Sequence, residues 1–188
     1  DWILKCAFFE AVVGVAAYVG STSLEQYILP LMIQSMTEPE EFVVEKVIRS
    51  LAAMADLGLF QRSTTWDLLH ITIGFLVHPN IWIREATVTL VVKSAKFLSV
   101  ADIFSILAPL IRPYVKVKVV GFSETELLEA LKRPMSRSIY EMVFLWASKT
   151  DKGIFWKSAS RDAFSLPEPS SHSSRVVKSV SLSMSSQP

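Results

Sequence analysis

The chain has 188 residues, of which 51% are hydrophobic and 20% charged, and its formal net charge is +1. A chain this apolar has enough surface to build a core, which excludes a largely disordered protein. The near-neutral charge argues against nucleic acid as a partner, and the single cysteine, Cys6, cannot form an internal disulfide. We expect no membrane span, because the stretches without charged residues are too short or are broken by His78-Pro79.

An internal repeat is the strongest signal in the sequence. Trp2, Phe42 and Trp82 lie 40 residues apart, and each is followed by Ile or Val. Within each period the apolar residues recur at helical spacing, which predicts two amphipathic helices. Helix pairs repeating at this period are typical of HEAT and armadillo solenoids. We therefore predict an all-α solenoid fragment of about four helix pairs, with an ordinary helical bundle of accidental spacing as the alternative.

The predicted helices follow from the apolar periodicity and from the residues that begin and end helices. They lie near 1–19, 23–36, 39–57, 65–77, 81–98, 100–111, 124–132 and 139–149. Asn80 and Ser99 are predicted as simple N-caps. Four further residues are predicted to form capping boxes with a Glu three positions later: Thr22, Thr37, Ser123 and Ser138.

Two stretches depart from the helical pattern. Residues 115–119 alternate valine with lysine, which predicts an extended or irregular connector. From Ser158 to Pro188, 12 of the residues are serine and three are proline, and no helical period remains. We therefore predict a solenoid over residues 1–149 and a Ser-rich disordered tail over 150–188.

The sequence predicts no active site, cofactor or metal site. It contains no glycine-rich phosphate loop and no His-Arg-Asp or Asp-Phe-Gly string of the kind found in protein kinases. His70 and His78 have no cysteine or third histidine at ligand spacing, and His78 is interpreted as part of the turn before Asn80. We therefore expect no catalysis by this chain.

Basic residues gather around the fourth predicted repeat. They form a candidate interaction surface: Arg112, Lys116, Lys118, Lys132, Arg133 and Arg137. A solvated face is the simplest interpretation. The functional interpretation is contact with an anionic lipid surface or an acidic partner, where each Lys or Arg can add about 1 kcal/mol of attraction.

The aromatic residues Trp2, Phe42 and Trp82 stand at the starts of equivalent helices. We predict that each ring is buried between helices as a repeat-core position. A peptide-binding groove along the concave face is the alternative. We also expect the first helix to expose an apolar face, because the repeats of a solenoid bury their apolar faces only against their neighbours.

Five strings of residues resemble one known family. They lie at 1–9, 13–20, 40–43, 78–84 and 131–140, and the last two, His-Pro-Asn-Ile-Trp-Ile-Arg and Leu-Lys-Arg-Pro-Met-Ser-Arg-Ser-Ile-Tyr, are the most specific. Together they resemble the HEAT-repeat region of the protein-kinase-like regulatory subunits of class III phosphatidylinositol 3-kinase complexes, a family of vacuolar protein sorting factors. The resemblance runs from residue 1 to about residue 147 and fails in the Ser-rich tail.

The resemblance implies a middle segment between an N-terminal protein-kinase-like domain and a C-terminal WD-repeat propeller. It implies a non-catalytic scaffold that holds the lipid kinase catalytic subunit and Beclin-type subunits together, supporting phosphatidylinositol 3-phosphate production in autophagy and endosomal sorting. The implied location is cytoplasmic, peripheral on late endosomal and autophagic membranes. A HEAT-type transport or cargo adaptor that binds extended peptides is the alternative function.

Overall fold

A computed structural model describes residues 1–119 and 121–149. The chain divides into two compact units, Asp1–Phe144 and Leu145–Pro188. Only the first residues of the second unit, at the end of the last helix, are among those described. The predicted disordered tail over 150–188 lies outside the described residues and stays a prediction.

Eight helices account for most of the described chain. They are α1 (Trp2–Val19), α2 (21–35), α3 (Glu41–Asp56), α4 (Arg62–Thr72, continued by the 3-10 turn Ile73–Val77), α5 (Ile81–Ala95), α6 (100–111, followed by the 3-10 turn Arg112–Tyr114), α7 (Glu124–Ala130) and α8 (Arg137–Lys149). Residues 115–119 contain one isolated bridge residue and bends, as predicted for an irregular connector. The all-α solenoid fragment of about four helix pairs is confirmed. With the 3-10 turns counted as part of their helices, each helix end lies within three residues of its predicted position.

The first helices of successive pairs stack side by side, α1 on α3 and α3 on α5. Polar bonds tie neighbouring repeats together. Ser50 is buried in α3 and donates its hydroxyl to the Phe9 carbonyl of α1 at 2.8 Å, and Lys96 reaches back to Asp56 at 2.6 Å. These two bonds join residues 41 and 40 positions apart. The 40-residue period of the sequence therefore equals the separation in sequence of residues that contact each other in neighbouring repeats.

Two helices contain a wide π turn ahead of a proline. Leu24–Ile28 precedes Pro30 in α2, and Ile103–Leu107 precedes Pro109 in α6. A proline inside a helix lacks an N–H, and its ring collides with the carbonyl four residues earlier. A π turn accommodates this missing bond. The second helices of these pairs are therefore interrupted, whereas α3 and α5 are continuous.

Two apolar clusters form the core. The first joins α1, α2 and α3 to the inner faces of α4 and α5, and the second joins α4 and α5 to α6, α7 and the connector. Leu68 belongs to the first cluster and its neighbour Leu69 to the second. Helix α4 therefore presents successive residues to two different repeat interfaces, as expected of a solenoid in which each pair contacts only its neighbours.

Helix α1 is long and apolar enough to cross a membrane by length and composition alone, and no other helix among the described residues meets that test. No membrane span is expected from the sequence, because the charge-free stretch from Ala11 to Leu24 is too short; the longer helix α1 also includes Lys5 and Glu10. Both residues form ion pairs with neighbouring elements, Lys5 with Glu38 at 2.7 Å and Glu10 with Lys46 at 3.5 Å. One face of α1 thus packs on protein through Phe9, Val12 and Ala16, although only 17% of the helix is buried.

Candidate interaction surfaces

The recurring aromatic residues form an exposed row, which we call the aromatic ladder: Trp2, Phe42 and Trp82. Their side chains are 43%, 51% and 50% exposed, so the prediction that they are buried core positions is wrong. Trp2 stacks on Phe42 with ring centroids 5.6 Å apart, and Phe42 meets Trp82 at 5.8 Å. The core positions are instead the residues that follow them in α3 and α5, Val43 and Ile83, which have no exposed surface.

The reason for this placement lies at the helix starts. In α5, Asn80 is the N-cap, and its side-chain oxygen accepts the N–H of Trp82 at 2.9 Å. Trp82 therefore lies in the first turn of α5, where its ring meets Phe42, the equivalent ring of the preceding repeat. Aromatic residues thus recur every 40 residues at positions where the rings contact one another, and not at positions in the core.

A second surface is the outward face of α1. Its exposed side chains are almost all apolar: Ile3, Leu4, Phe8, Val15, Tyr18 and Val19. One period later, the equivalent residues of α3 are buried against the neighbouring helices: Val43, Val44, Ile48 and Ala55. The expected apolar face of the first helix is confirmed, and it has the composition of a repeat interface.

The third surface consists of only some of the residues of the predicted basic patch. Arg137 does not belong to it, because its guanidinium pairs with the Glu41 carboxylate of α3. Lys132 donates its ammonium to the Pro113 carbonyl at 2.8 Å. Arg133 is exposed and forms no ion pair among the described residues. The remaining three cations, Arg112, Lys116 and Lys118, lie together around one cavity, which we call the basic pocket.

The basic pocket has a volume of about 560 Å³, within the range typical of ligand sites. Apolar side chains from α6, the connector and the residues just before α7 form its walls: Phe104, Ala108, Ile111, Val115, Val119 and Phe122. The connector is held by backbone bonds from Lys116 N–H to the Ala130 carbonyl and from Lys132 N–H to the Tyr114 carbonyl, both 2.8 Å. The valine and lysine alternation was the sequence signal for this pocket, since it places apolar and basic groups side by side.

A polar cluster joins α8 to the second and third repeats. His78 is almost fully buried, and its Nδ1 accepts the N–H of Asn80 at 3.0 Å, which confirms its predicted place in the turn. The Tyr140 ring packs edge-on against the imidazole with centroids 4.4 Å apart. Nearby, the Asn80 side chain donates to Glu41 at 2.7 Å, the carboxylate that also binds Arg137. This cluster is structural, and sequence reasoning did not anticipate it.

Burial and hydrogen bonds together set the protonation states of His78 and Glu41 in this cluster. Desolvation lowers the pKa of His78 below its ordinary value, against the opposing effect of the Glu41 charge. Burial disfavours ionisation of Glu41 as well, but hydrogen bonds from Arg137 and Asn80 outweigh it and lower the pKa of that carboxyl. At neutral pH the cluster therefore holds a neutral imidazole beside an ionised carboxylate.

Among the described residues, no three His, Cys, Asp or Glu side chains lie close enough to hold a metal ion. Cys6 is half-buried, with its sulfur 3.7 Å from the Phe42 carbonyl, and burial raises the pKa of the thiol. A thiol that resists ionisation is a poor nucleophile.

Comparison with known proteins gives a consistent result. A family model described as "PIK3R4-like, middle domain" matches residues 1–144. Over 154 residues the chain is 37% identical to "Probable serine/threonine-protein kinase vps15" of Dictyostelium discoideum, covering 76% of this chain and 8% of that protein. Over 127 residues it is 38% identical to "Putative serine/threonine-protein kinase VPS15" of Komagataella pastoris, covering 68% and 9% respectively.

The chain thus spans less than a tenth of the length of these two relatives. Their names describe whole proteins, whereas the matched family model describes a middle domain. The predicted solenoid and the match end within a few residues of each other, at 149 and 144. The chain therefore belongs to the PIK3R4-like family of Vps15-type regulatory subunits, and it matches the middle domain of that family.

Proposed function

We propose that this chain is a non-catalytic scaffold segment of the regulatory subunit of a class III phosphatidylinositol 3-kinase complex. In this role it holds the lipid kinase catalytic subunit and Beclin-type subunits in one assembly on late endosomal and autophagic membranes. It thereby supports production of phosphatidylinositol 3-phosphate in autophagy and endosomal sorting.

The observation that carries the proposal is the bonding between successive repeats. Ser50 to Phe9, Asn80 to Glu41 and Arg62 to Asp102 each join neighbouring repeats at separations of 39 to 41 residues. Such bonds fix the rotation of each helix pair on the next, and a solenoid built this way sets the distance between whatever its two ends and its ridges bind. A spacer of fixed geometry needs no catalytic group.

The test is a chimera in the VPS15 protein of Saccharomyces cerevisiae, to which the chain is 36% identical over 107 residues. Residues 1–144 replace the matching segment, and the readouts are co-purification of the lipid kinase and cellular phosphatidylinositol 3-phosphate. We expect the chimera to restore both. A chimera that is stably expressed but assembles no complex would contradict the proposal.

Two matched variants sharpen this test. Val47→Asp places a charge in a position with no exposed surface in α3 and should abolish assembly, because a buried unpaired charge is not tolerated. Val100→Asp introduces the same charge at an exposed position in the first turn of α6, where an acidic residue is favourable. Assembly should survive the second change. Retained assembly with Val47→Asp would show that assembly does not depend on the packed stack.

The exposed aromatic ladder favours a second candidate function, an adaptor for extended peptides. Regularly spaced aromatic rings can stack against an extended chain. Glu38 and Glu41, which lie within four residues of Phe42 in the sequence, are paired with Lys5 and Arg137. Binding of a peptide array to the chain, compared with Phe42→Ala, tests this function; binding lost in that variant would favour the adaptor.

A further inference from the structure

The basic pocket differs from the first three repeats in whether its cations are paired with acidic side chains. Along the first three repeats, most Lys and Arg side chains are paired with an acidic group: Lys5, Lys46, Arg49, Arg62, Lys93 and Lys96. Arg112, Lys116 and Lys118 are exposed at the pocket and form no ion pair within the described ranges 1–119 and 121–149. Three free positive charges therefore surround one apolar cavity.

The shape and lining of the cavity restrict what can occupy it. Its walls are mainly apolar, and its volume of about 560 Å³ can hold one or two large side chains. A bilayer is a flat surface, so it meets protruding side chains and leaves a recess unfilled. A lipid headgroup is polar and gains nothing from walls made by Ile111, Val115 and Phe122.

We propose that the basic pocket binds an acidic peptide segment of a partner protein, with a bulky apolar side chain of that segment inserted between α6 and the connector. The carboxylates on either side of this anchor pair with Arg112, Lys116 and Lys118. The apolar anchor supplies affinity by burial, and the charges supply orientation and a fast encounter. This inference goes beyond the scaffold role, whose stacking contacts do not include the pocket.

The probe is a fluorescent synthetic peptide, Glu-Glu-Phe-Asp-Glu-Leu-Glu, titrated with the full 188-residue chain and followed by anisotropy. We expect saturable binding that weakens as salt increases, since the charges lie near the surface. Replacing the phenylalanine of the peptide by alanine should weaken binding, and replacing its acids by lysine should remove it. The absence of saturable binding to the unmodified chain would overturn the proposal.

Variants of the chain locate the site. The double variant Lys116→Glu and Lys118→Glu should weaken binding by about tenfold or more, which corresponds to about 1.4 kcal/mol. Ala108→Trp, which fills the cavity from its helical wall, should also abolish binding. Arg133→Glu is the matched control, because Arg133 is exposed, basic and absent from the cavity lining. Retained binding in the double variant, or equal loss in the control, would place the peptide elsewhere.

Vesicles containing phosphatidylserine separate the peptide from a membrane. We expect them to bind weakly, and we expect Ala108→Trp to leave that binding unchanged, since it alters the cavity and not the charge. Vesicle binding that exceeds peptide binding and is lost in the double variant would replace the proposal with a lipid surface. Circular dichroism of every variant checks that the helices remain folded.

Discussion

The first three repeats, residues 1–111, differ from the fourth, residues 112–149, in how their side chains bond to other repeats. In the first region the bonds between repeats join residues about one period apart, as with Lys96 and Asp56. In the fourth, the link runs 96 residues back, from Arg137 to Glu41. In the regular region most Lys and Arg side chains are paired with acidic side chains. Where the period fails, an irregular connector leaves a cavity and free charges, so loss of repetition is what creates a site for binding.

The largest expected effect is in the regular core. Leu51 lies in the first apolar cluster with no exposed surface, so Leu51→Ala should lower the free energy of unfolding by about 2–5 kcal/mol. Leu127→Ala in α7 is the counterpart in the second cluster, and its loss should be smaller because a seven-residue helix can shift to fill the space. Urea denaturation measures both. A larger loss of stability at Leu127 would contradict the expectation that the first cluster contributes more to stability than the second.

The aromatic ladder should contribute less than the core. Phe42→Ala removes two ring contacts at a half-exposed site and should cost about 1–2 kcal/mol of stability. Tyr18→Ala is the control, since Tyr18 is 93% exposed, and we expect almost no change. Thermal unfolding followed by circular dichroism compares the two. A loss of stability for Phe42→Ala as large as for Leu51→Ala would show that the aromatic ladder contributes as much as a core position.

The junction between the two regions should depend on pH. Because the folded pKa of His78 is lowered, the unfolded chain takes up a proton first, and stability falls as pH decreases below about 6.5. Glu41 favours the protonated imidazole, whereas Arg137 and Arg84 disfavour it. The variant His78→Asn keeps a hydrogen-bond acceptor without titrating, so its stability should be flat between pH 5 and about 6.5. An unchanged slope in this variant would assign the pH dependence to another group.

The smallest expected effect is at the long-range ion pair. Glu41 and Arg137 are partly exposed, so a double-mutant cycle with Glu41→Gln and Arg137→Gln should give a coupling of about 0.5–1 kcal/mol. Arg133→Gln, four residues before Arg137, should show no coupling to Glu41. A coupling indistinguishable from zero would leave the His78 and Tyr140 contact as the main link between α8 and the repeats.

The fold could be read from the sequence because apolar periodicity and the 40-residue repeat both depend on the chain alone. Helix caps were predictable where the cap is local: Asn80, Ser99 and Ser123 each accept an N–H as expected. Thr37 is different, since its hydroxyl donates to the Gln34 carbonyl and Glu40 takes the N-cap position of α3. Ser138 lies inside α8, and Ser136 accepts the Ile139 N–H instead.

The sites were harder to read, because they depend on which distant elements meet. The repeat placed Trp2, Phe42 and Trp82 in register but did not say whether rings in register face the core or one another. The basic residues are close in sequence, yet Arg137 pairs with Glu41, 96 positions away, whereas Lys116 and Lys118 line the cavity. Spacing along the chain predicts a shared helix face; it does not predict the partner across a turn.

The bonds from Ser50 to Phe9 and from Lys96 to Asp56 also bear on how the molecule loses structure. Each closes a loop of nearly equal length, so the entropic cost of forming each interface is nearly the same. Repeat interfaces of this kind open one at a time, and a break spreads only to its neighbours. Amide hydrogen exchange should then fall off in steps along the chain, and a scaffold under tension would yield at one interface while the others kept their registry.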